Sequence, residues 1–170
     1  YERAKLEDGS YLIAGEYKPT FWTKASDGTW HMGKTKEDIK DAKYCKKASM
    51  SAKGVINKNA KDNSVTKPSQ QRLEIVPLDN PANFKVGVPF KVKILFEGKP
   101  LENATLDGTF DGFLKEKSAF HGQTEPDGTI EVLALKPGKW LLQTVHKMPF
   151  ADSKICDDET IAATLAFELK

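Results

Sequence analysis

The chain has 170 residues, and its 26 Lys+Arg against 24 Asp+Glu give a formal net charge of +2. Charges of both signs are interleaved, so we expect no nucleic-acid partner. No apolar run approaches the roughly 18 residues of a membrane span, so direct membrane insertion is not expected either. The start at Tyr1 lacks the apolar stretch of an export signal. We therefore expect that any signal has been removed. No strand pattern precedes the Asp8-Gly9 turn, which leaves open whether residues upstream of Tyr1 are missing.

The first part of the chain, residues 1–66, is predicted to form a smaller β segment. Residues 11–23 have the pattern of a long strand interrupted at Pro19. The triplet Ser26-Asp27-Gly28 has the composition of a hairpin turn, and residues 29–32 would form the returning strand.

One helix is predicted in this part, over residues 36–50. The acidic residues Glu37 and Asp38 would occupy its first turn, and small apolar residues recur after them at helical spacing. The polar residues 57–71, which lack apolar periodicity, are predicted to link this segment to the rest of the chain.

The second part, residues 72–170, is predicted to be all β. Apolar and polar residues alternate in short runs, and turn dipeptides such as Asp127-Gly128 and Pro137-Gly138 separate the runs. Seven short strands with regularly spaced turns are typical of an Ig-like β-sandwich. The turns at Gly98-Lys99-Pro100, Asp127-Gly128 and Pro137-Gly138 also resemble those of transthyretin-like sandwiches. The predicted strands are 72–77, 90–97, 104–110, 118–124, 129–135, 139–147 and 161–169.

The two cysteines, Cys45 and Cys156, lie more than a hundred positions apart. Neither belongs to a CxxC pair or to a zinc-binding Cys/His spacing, so a structural zinc site is not expected. The residues themselves leave two alternatives open. In a reducing compartment the cysteines would be two ordinary thiols, and in an oxidising one they would form a single long-range disulfide.

Three segments together resemble a known family. They are residues 73–81 (LEIVPLDNP), 92–101 (VKILFEGKPL) and 136–142 (KPGKWLL). They are similar to a family of exported bacterial proteins of unknown function, some members of which are associated with nickel and cobalt uptake transporters of the energy-coupling type. The resemblance implies a periplasmic location, a membrane transporter component as partner, and a disulfide between Cys45 and Cys156.

Histidines beside methionines provide the candidate metal ligands. His31 precedes Met32, His146 lies two residues before Met148, and His121 is the third imidazole. Imidazole suits nickel and cobalt, whereas the thioether prefers copper(I), which we consider the weaker candidate. His146 and Met148 share a strand face with core residues, so packing at the rim of the core is the competing interpretation. No organic cofactor is predicted.

The aromatic residues Trp22 and Trp30 are candidates for a platform that binds a small molecule or glycan, although such rings more often fill a packed sheet face. Residues 28–35 fit the pattern G-x-x-x-x-G-K-[ST], but bulky Trp30, His31 and Met32 occupy its interior. A phosphate-binding loop requires small residues there, so a hairpin is predicted instead. No hydrolase motif is present, and an enzyme is not expected.

The sequence therefore predicts a periplasmic accessory protein that captures nickel or cobalt and hands it to a transporter. A structural or protein-interaction β-sandwich that binds no metal is the first alternative. A glycan or small-molecule binder that uses the N-terminal aromatic residues is the second. The oligomeric state is left open.

Overall fold

The computed structural model describes residues 7–57, 59, 61–113 and 116–170, so the first six residues of the predicted N-terminal segment lie outside it. Within these residues the chain forms β-strands joined by turns and two short 3-10 turns, Ser64–Thr66 and Pro81–Asn83. The strands are β1 (Ser10–Ala25), β2 (Trp30–Met32), β3 (Ala42–Asn57), β4 (Leu73–Pro77), β5 (Phe90–Phe96), β6 (Lys99–Pro100), β7 (Thr105–Phe110), β8 (Phe120–Gln123), β9 (Thr129–Val132), β10 (Gly138–Pro149) and β11 (Asp158–Leu169).

Two sheets pack face to face. The larger sheet has seven strands in the order β2-β1-β3-β11-β10-β7-β8. The smaller sheet is built on β5, which pairs with β4, β6 and β9. All pairings are antiparallel except that of β3 with β11. A parallel pair needs a long crossover connection, and here the connection contains β4 to β10.

The core lies between the two sheets because the long strands β10 and β11 alternate buried and more exposed side chains with period two, and the buried ones point to the smaller sheet. The face of the larger sheet that points to the smaller one is called the inner face here, and the opposite face is called the outer face. Strand β10 shows the alternation clearly, since Trp140, Leu142 and Thr144 are buried and Gln143 and Val145 are exposed. The largest fully buried apolar side chains are those of Leu73, Ile75, Ile94, Leu106, Leu142, Ile161, Leu165 and Leu169.

The predicted all-β sandwich is confirmed. Each of the seven strands predicted after residue 72 corresponds to an observed strand, and the observed β6 is a short addition. The predicted N-terminal hairpin is also present, with Gly28 at a φ of +90° in the turn between β1 and β2. Strand β1 continues through Pro19, and its pairing with β3 shifts register between Tyr17 and Thr20. Such a bulge accommodates a proline, which cannot donate to the ladder.

The helix predicted over residues 36–50 is wrong. Residues from Ala42 onward belong to β3, which pairs with β1 on one side and β11 on the other. The acidic residues taken for a first helical turn belong to a tight turn instead, where the Asp38 carboxylate accepts hydrogen bonds from the backbone nitrogen (2.8 Å) and hydroxyl (3.1 Å) of Thr35. Pairing on both edges satisfies the backbone of this segment as a strand, and this tertiary effect overrides the local helical signal.

The segment before residue 67 is continuous with the rest of the fold. Its strands β1, β2 and β3 extend the larger sheet beyond β11. Its connection to β4 is anchored by the fully buried Asn80, whose side-chain nitrogen donates to the Ser10 hydroxyl at 2.9 Å. The Ser10 backbone nitrogen in turn donates to the Asp62 carboxylate at 2.7 Å. These bonds join β1, the linker and the loop after β4.

Candidate functional site

The three histidines predicted as metal ligands lie on separate parts of the larger sheet. His31 is on β2 and His121 is on β8, which are the two edge strands. Six strand spacings of about 4.8 Å separate these edges, or roughly 29 Å, so the two imidazoles cannot share an ion. His146 lies between them on β10. The structure therefore does not bring the predicted ligands together.

Neither His/Met pair offers two exposed ligands on one face of the sheet. His31 and Met32 are successive residues of β2, so they point to opposite faces of the sheet, and Met32 is exposed. His146 and Met148 share the inner face. The His146 ring lies 4.7 Å from the Phe96 ring, and Met148 packs against the core. Both therefore lie at the rim of the core.

His121 has the environment closest to that of a metal ligand. Its Nδ1 lies 2.9 Å from a carboxylate oxygen of Asp107, and the same oxygen accepts a hydrogen bond of 2.8 Å from the Ser118 hydroxyl. Burial alone would raise the pKa of Asp107, but the hydrogen bonds from His121 and Ser118 outweigh it and lower the pKa. An ionised Asp107 favours the tautomer in which Nδ1 carries the proton and Nε2 carries the lone pair. The His121 side chain is 68% exposed.

A groove between β8 and β9 adjoins His121. Glu125 and Glu131 line it together with His121, and Lys91 contributes a positive charge. Nevertheless, the part of the chain that the structure describes contains no group of three His, Cys, Asp or Glu side chains placed to hold a metal ion. The geometry therefore offers one oriented imidazole rather than a closed metal cage.

Trp22 and Trp30 both lie on the outer face, at the end of the larger sheet formed by β1, β2 and β3. Trp30 is 42% exposed, and its ring meets the Tyr44 ring edge to face at a centroid distance of 6.1 Å. The ammonium groups of Lys24 and Lys46 lie 5.8 and 5.5 Å from the Trp30 ring centroid. The aromatic pair thus shares one face, and cation–π contacts already occupy the Trp30 ring.

The predicted disulfide between Cys45 and Cys156 is present, and both residues are fully buried. It joins β3 to the loop before β11. Asp157 reinforces this junction, because its carboxylate accepts a hydrogen bond of 2.8 Å from the Cys45 backbone nitrogen and also pairs with Lys36. A disulfide of this kind is compatible with an exported protein. Among the described residues, no helix has the length and apolar character needed to cross a membrane.

One feature of the outer face was not predicted from the sequence. Small and apolar residues of β1, β3, β11 and β10 form a continuous surface there. The contribution of β11 is visible in the sequence, since Ala162, Thr164 and Ala166 alternate with core residues of that strand. The contribution of β3 was hidden because that segment was predicted to be a helix.

Fold and site together define a disulfide-linked, two-sheet β-sandwich in which the described residues form no closed metal cage. The model of the family described as Domain of unknown function (DUF4198) matches residues 1–148. The chain belongs to this family. No curated protein matches the chain, and no solved structure matches it.

Proposed function

We propose that this protein is a non-enzymatic, periplasmic accessory protein of transition-metal uptake that presents nickel or cobalt to a membrane transporter. The observation that carries the proposal is the exposed His121 imidazole, which the Asp107 carboxylate holds by Nδ1. A carboxylate that orients an imidazole in this way is a common second partner of metal-ligating histidines. We also propose that the sandwich is of the Ig-like or transthyretin-like type, because its turn motifs resemble those of such sandwiches.

A single protein imidazole suits handover better than storage. Water would fill the other coordination positions, so the ion would remain accessible to ligands of the transporter. The adjacent groove, lined by Glu125 and Glu131, would add negative charge near the ion. Because a proton competes with the metal for the imidazole nitrogen, acid should weaken metal binding.

The test is a calorimetric titration of the metal-stripped protein with Ni²⁺, Co²⁺ and Cu²⁺. We expect His121→Ala to abolish binding and Asp107→Asn to weaken it by about 10- to 100-fold. His31→Ala is the matched control on the opposite edge strand and should leave the affinity unchanged. Binding that survives His121→Ala, or no binding by the wild-type protein, would overturn the assignment of this site.

A second candidate function is recognition of a small molecule or glycan at Trp22 and Trp30. The observation that favours it is their common position on the outer face, where Trp30 is partly exposed. The intrinsic tryptophan fluorescence should then change on titration with neutral and acidic oligosaccharides. Trp30→Ala should abolish that saturable change, whereas Trp140→Phe, at a buried core position, should preserve it.

A further inference from the structure

Two rows of cross-strand neighbours on the outer face combine aromatic rings with lysines. In the first row Lys24 of β1 lies between Trp30 of β2 and Tyr44 of β3. In the second row Trp22 of β1 is paired with Lys46 of β3. Residues paired across neighbouring strands point to the same face, so these side chains form one surface. We call the five residues Trp22, Lys24, Trp30, Tyr44 and Lys46 the cationic corner.

The two ammonium groups of the cationic corner converge on one ring. The Nζ of Lys24 lies 5.8 Å and that of Lys46 lies 5.5 Å from the centroid of the Trp30 ring. Both distances are measured to the same centroid, so the two ammonium groups are at most about 11 Å apart. The Tyr44 ring contacts the Trp30 ring edge to face and restricts its rotation. Cation–π attraction therefore holds both ammonium groups near a partly exposed ring.

The two lysines of the cationic corner also differ from nearby lysines in their partners. Lys36, Lys47 and Lys147 each form an ion pair with an aspartate or glutamate side chain. Lys24 and Lys46 form no such pair with any carboxylate of the residues that the structure describes. Their positive charges are therefore available to an anionic ligand.

The carboxylate beside Lys46 is already engaged. Asp158 is the direct neighbour of Lys46 on β11, and its carboxylate pairs with Lys147 at 2.8 Å. Between Glu16 and Lys47 the sequence has eight lysines against five acidic residues, a net charge of +3. The cationic corner thus belongs to a segment with an excess of positive charge, which attracts anions.

We propose that the cationic corner binds an acidic saccharide, whose carboxylate groups pair with Lys24 and Lys46. The proposal rests on the second candidate function and deepens it by assigning a charge to the ligand. A neutral sugar that stacks on Trp30 would have to displace the ammonium groups from the ring, whereas an acidic sugar pairs with them where they lie. Because the Trp30 ring already orders both lysine side chains, less conformational entropy is lost on binding.

A saccharide fits the cationic corner better than a bare anion does. A bare anion would contact only the ammonium groups, whereas a sugar ring also offers C–H groups that pack on an aromatic face. Trp30 is partly exposed and provides that face, and Trp22 lies in the adjacent row. The separation of the ammonium groups is short enough for the carboxylates of one small oligosaccharide to reach both.

The test is a titration of the metal-stripped protein with trigalacturonic acid, followed by tryptophan fluorescence and calorimetry. Maltotriose, a neutral trisaccharide, is the matched ligand control. We expect saturable binding of trigalacturonic acid that is at least about tenfold tighter than that of maltotriose. This binding should weaken as NaCl is raised to about 500 mM, because salt screens exposed ion pairs.

Variants of the two lysines identify the site. Lys24→Gln and Lys46→Gln should each weaken the binding of trigalacturonic acid by about tenfold or more, since each removes a hydrogen bond between charged groups. Lys24→Arg should retain the binding, because a guanidinium keeps the charge and also contacts aromatic rings. Lys99→Gln is the matched control, since Lys99 is exposed on β6 of the smaller sheet.

The outcomes separate this proposal from the function on which it rests. Equal affinity for the two trisaccharides would overturn the proposal and leave the second candidate function standing, whereas binding of neither would overturn both. Binding of trigalacturonic acid that survives both glutamine variants would overturn the assignment to Lys24 and Lys46. Binding to phosphatidylglycerol vesicles without binding of trigalacturonic acid would also overturn the proposal and would indicate an anionic membrane surface. None of these results bears on metal binding at His121.

Discussion

At the scale of single residues, the most unusual feature is a buried ion pair that joins the two sheets. Lys53 points inward from β3 and pairs with Glu74 of β4, and both side chains are at most 2% exposed. The Glu74 carboxylate also accepts hydrogen bonds from the backbone nitrogen (2.8 Å) and hydroxyl (3.0 Å) of Ser69. Burial alone would raise the pKa of Glu74, but the hydrogen bonds from Lys53 and Ser69 outweigh it and lower the pKa.

Breaking this pair should be costly. Lys53→Met leaves an uncompensated buried carboxylate and should lower the free energy of unfolding by about 3–5 kcal/mol. The double variant Lys53→Met with Glu74→Gln removes both charges and keeps an acceptor for Ser69, so it should recover most of that loss. Urea denaturation at pH 7 measures both variants. Equal losses in the single and double variants would contradict the interpretation.

The same pair predicts a pH dependence. Since the folded pKa of Glu74 lies below its ordinary value of 4.5, its ionised form contributes stability above that pH. This contribution is lost as the pH falls through the folded pKa. Between pH 5 and pH 3 the free energy of unfolding should therefore fall more steeply for the wild type than for the double variant. Parallel curves from urea denaturation at each pH would argue against an ionised Glu74.

Gly128 is a position where the backbone itself requires glycine. Its φ is +76°, and an added Cβ would lie 2.8 Å from the carbonyl oxygen of Ile94 and 3.0 Å from the backbone nitrogen of Leu101. We expect Gly128→Ala to cost about 3 kcal/mol or more, since the left-handed strain adds to a clash with rigid backbone. Gly98→Ala is the control, with a φ of +75° and open space around it, and should cost only about 1–2 kcal/mol. Equal losses of thermal stability in the two variants would refute the role of the clash.

At the scale of elements, strand faces determine which side chains matter. Leu142 of β10 is fully buried in the core, and Gln143, the next residue, is exposed on the outer face. Leu142→Ala should lower the free energy of unfolding by about 2–5 kcal/mol, and Gln143→Ala by less than about 0.5 kcal/mol. Urea denaturation at pH 7 measures both variants. Similar losses for both variants would contradict the assignment of faces.

Strand β3 shows how an element can be misread from local signals. The repeat of Ala42, Cys45 and Ala48 fits a helix, yet Cys45, Ser51 and Lys53 are buried on one face of a strand. Lys53 is the residue that hides the strand pattern, because a lysine at an inward position does not resemble a core residue. Its partner Glu74 lies 21 residues later and cannot be identified from the local sequence.

At the scale of the whole molecule, the disulfide holds the N-terminal strands against the end of the chain. Cys45 and Cys156 are 111 residues apart, and their bond closes a loop that contains β4 to β10. In the chain-entropy model a loop of this length contributes at most about 4–5 kcal/mol. The variant Cys45→Ala with Cys156→Ala should lose up to that amount, measured by urea denaturation. A reductant should destabilise the wild type and leave the double variant unchanged, and a wild type insensitive to reductant would contradict this account.

The sequence by itself determined the all-β class, the seven strands after residue 72 and the N-terminal hairpin, because alternation and turn residues are local properties. It also identified both cysteines of the disulfide, but their pairing required the resemblance. Only the tertiary structure decided that residues 42–57 form a strand, that His31 and His121 lie on opposite edges, and that β1, β3, β11 and β10 share an uncharged face. These properties depend on the parallel pairing of β3 with β11. That pairing joins segments more than a hundred residues apart, so local sequence patterns cannot predict it.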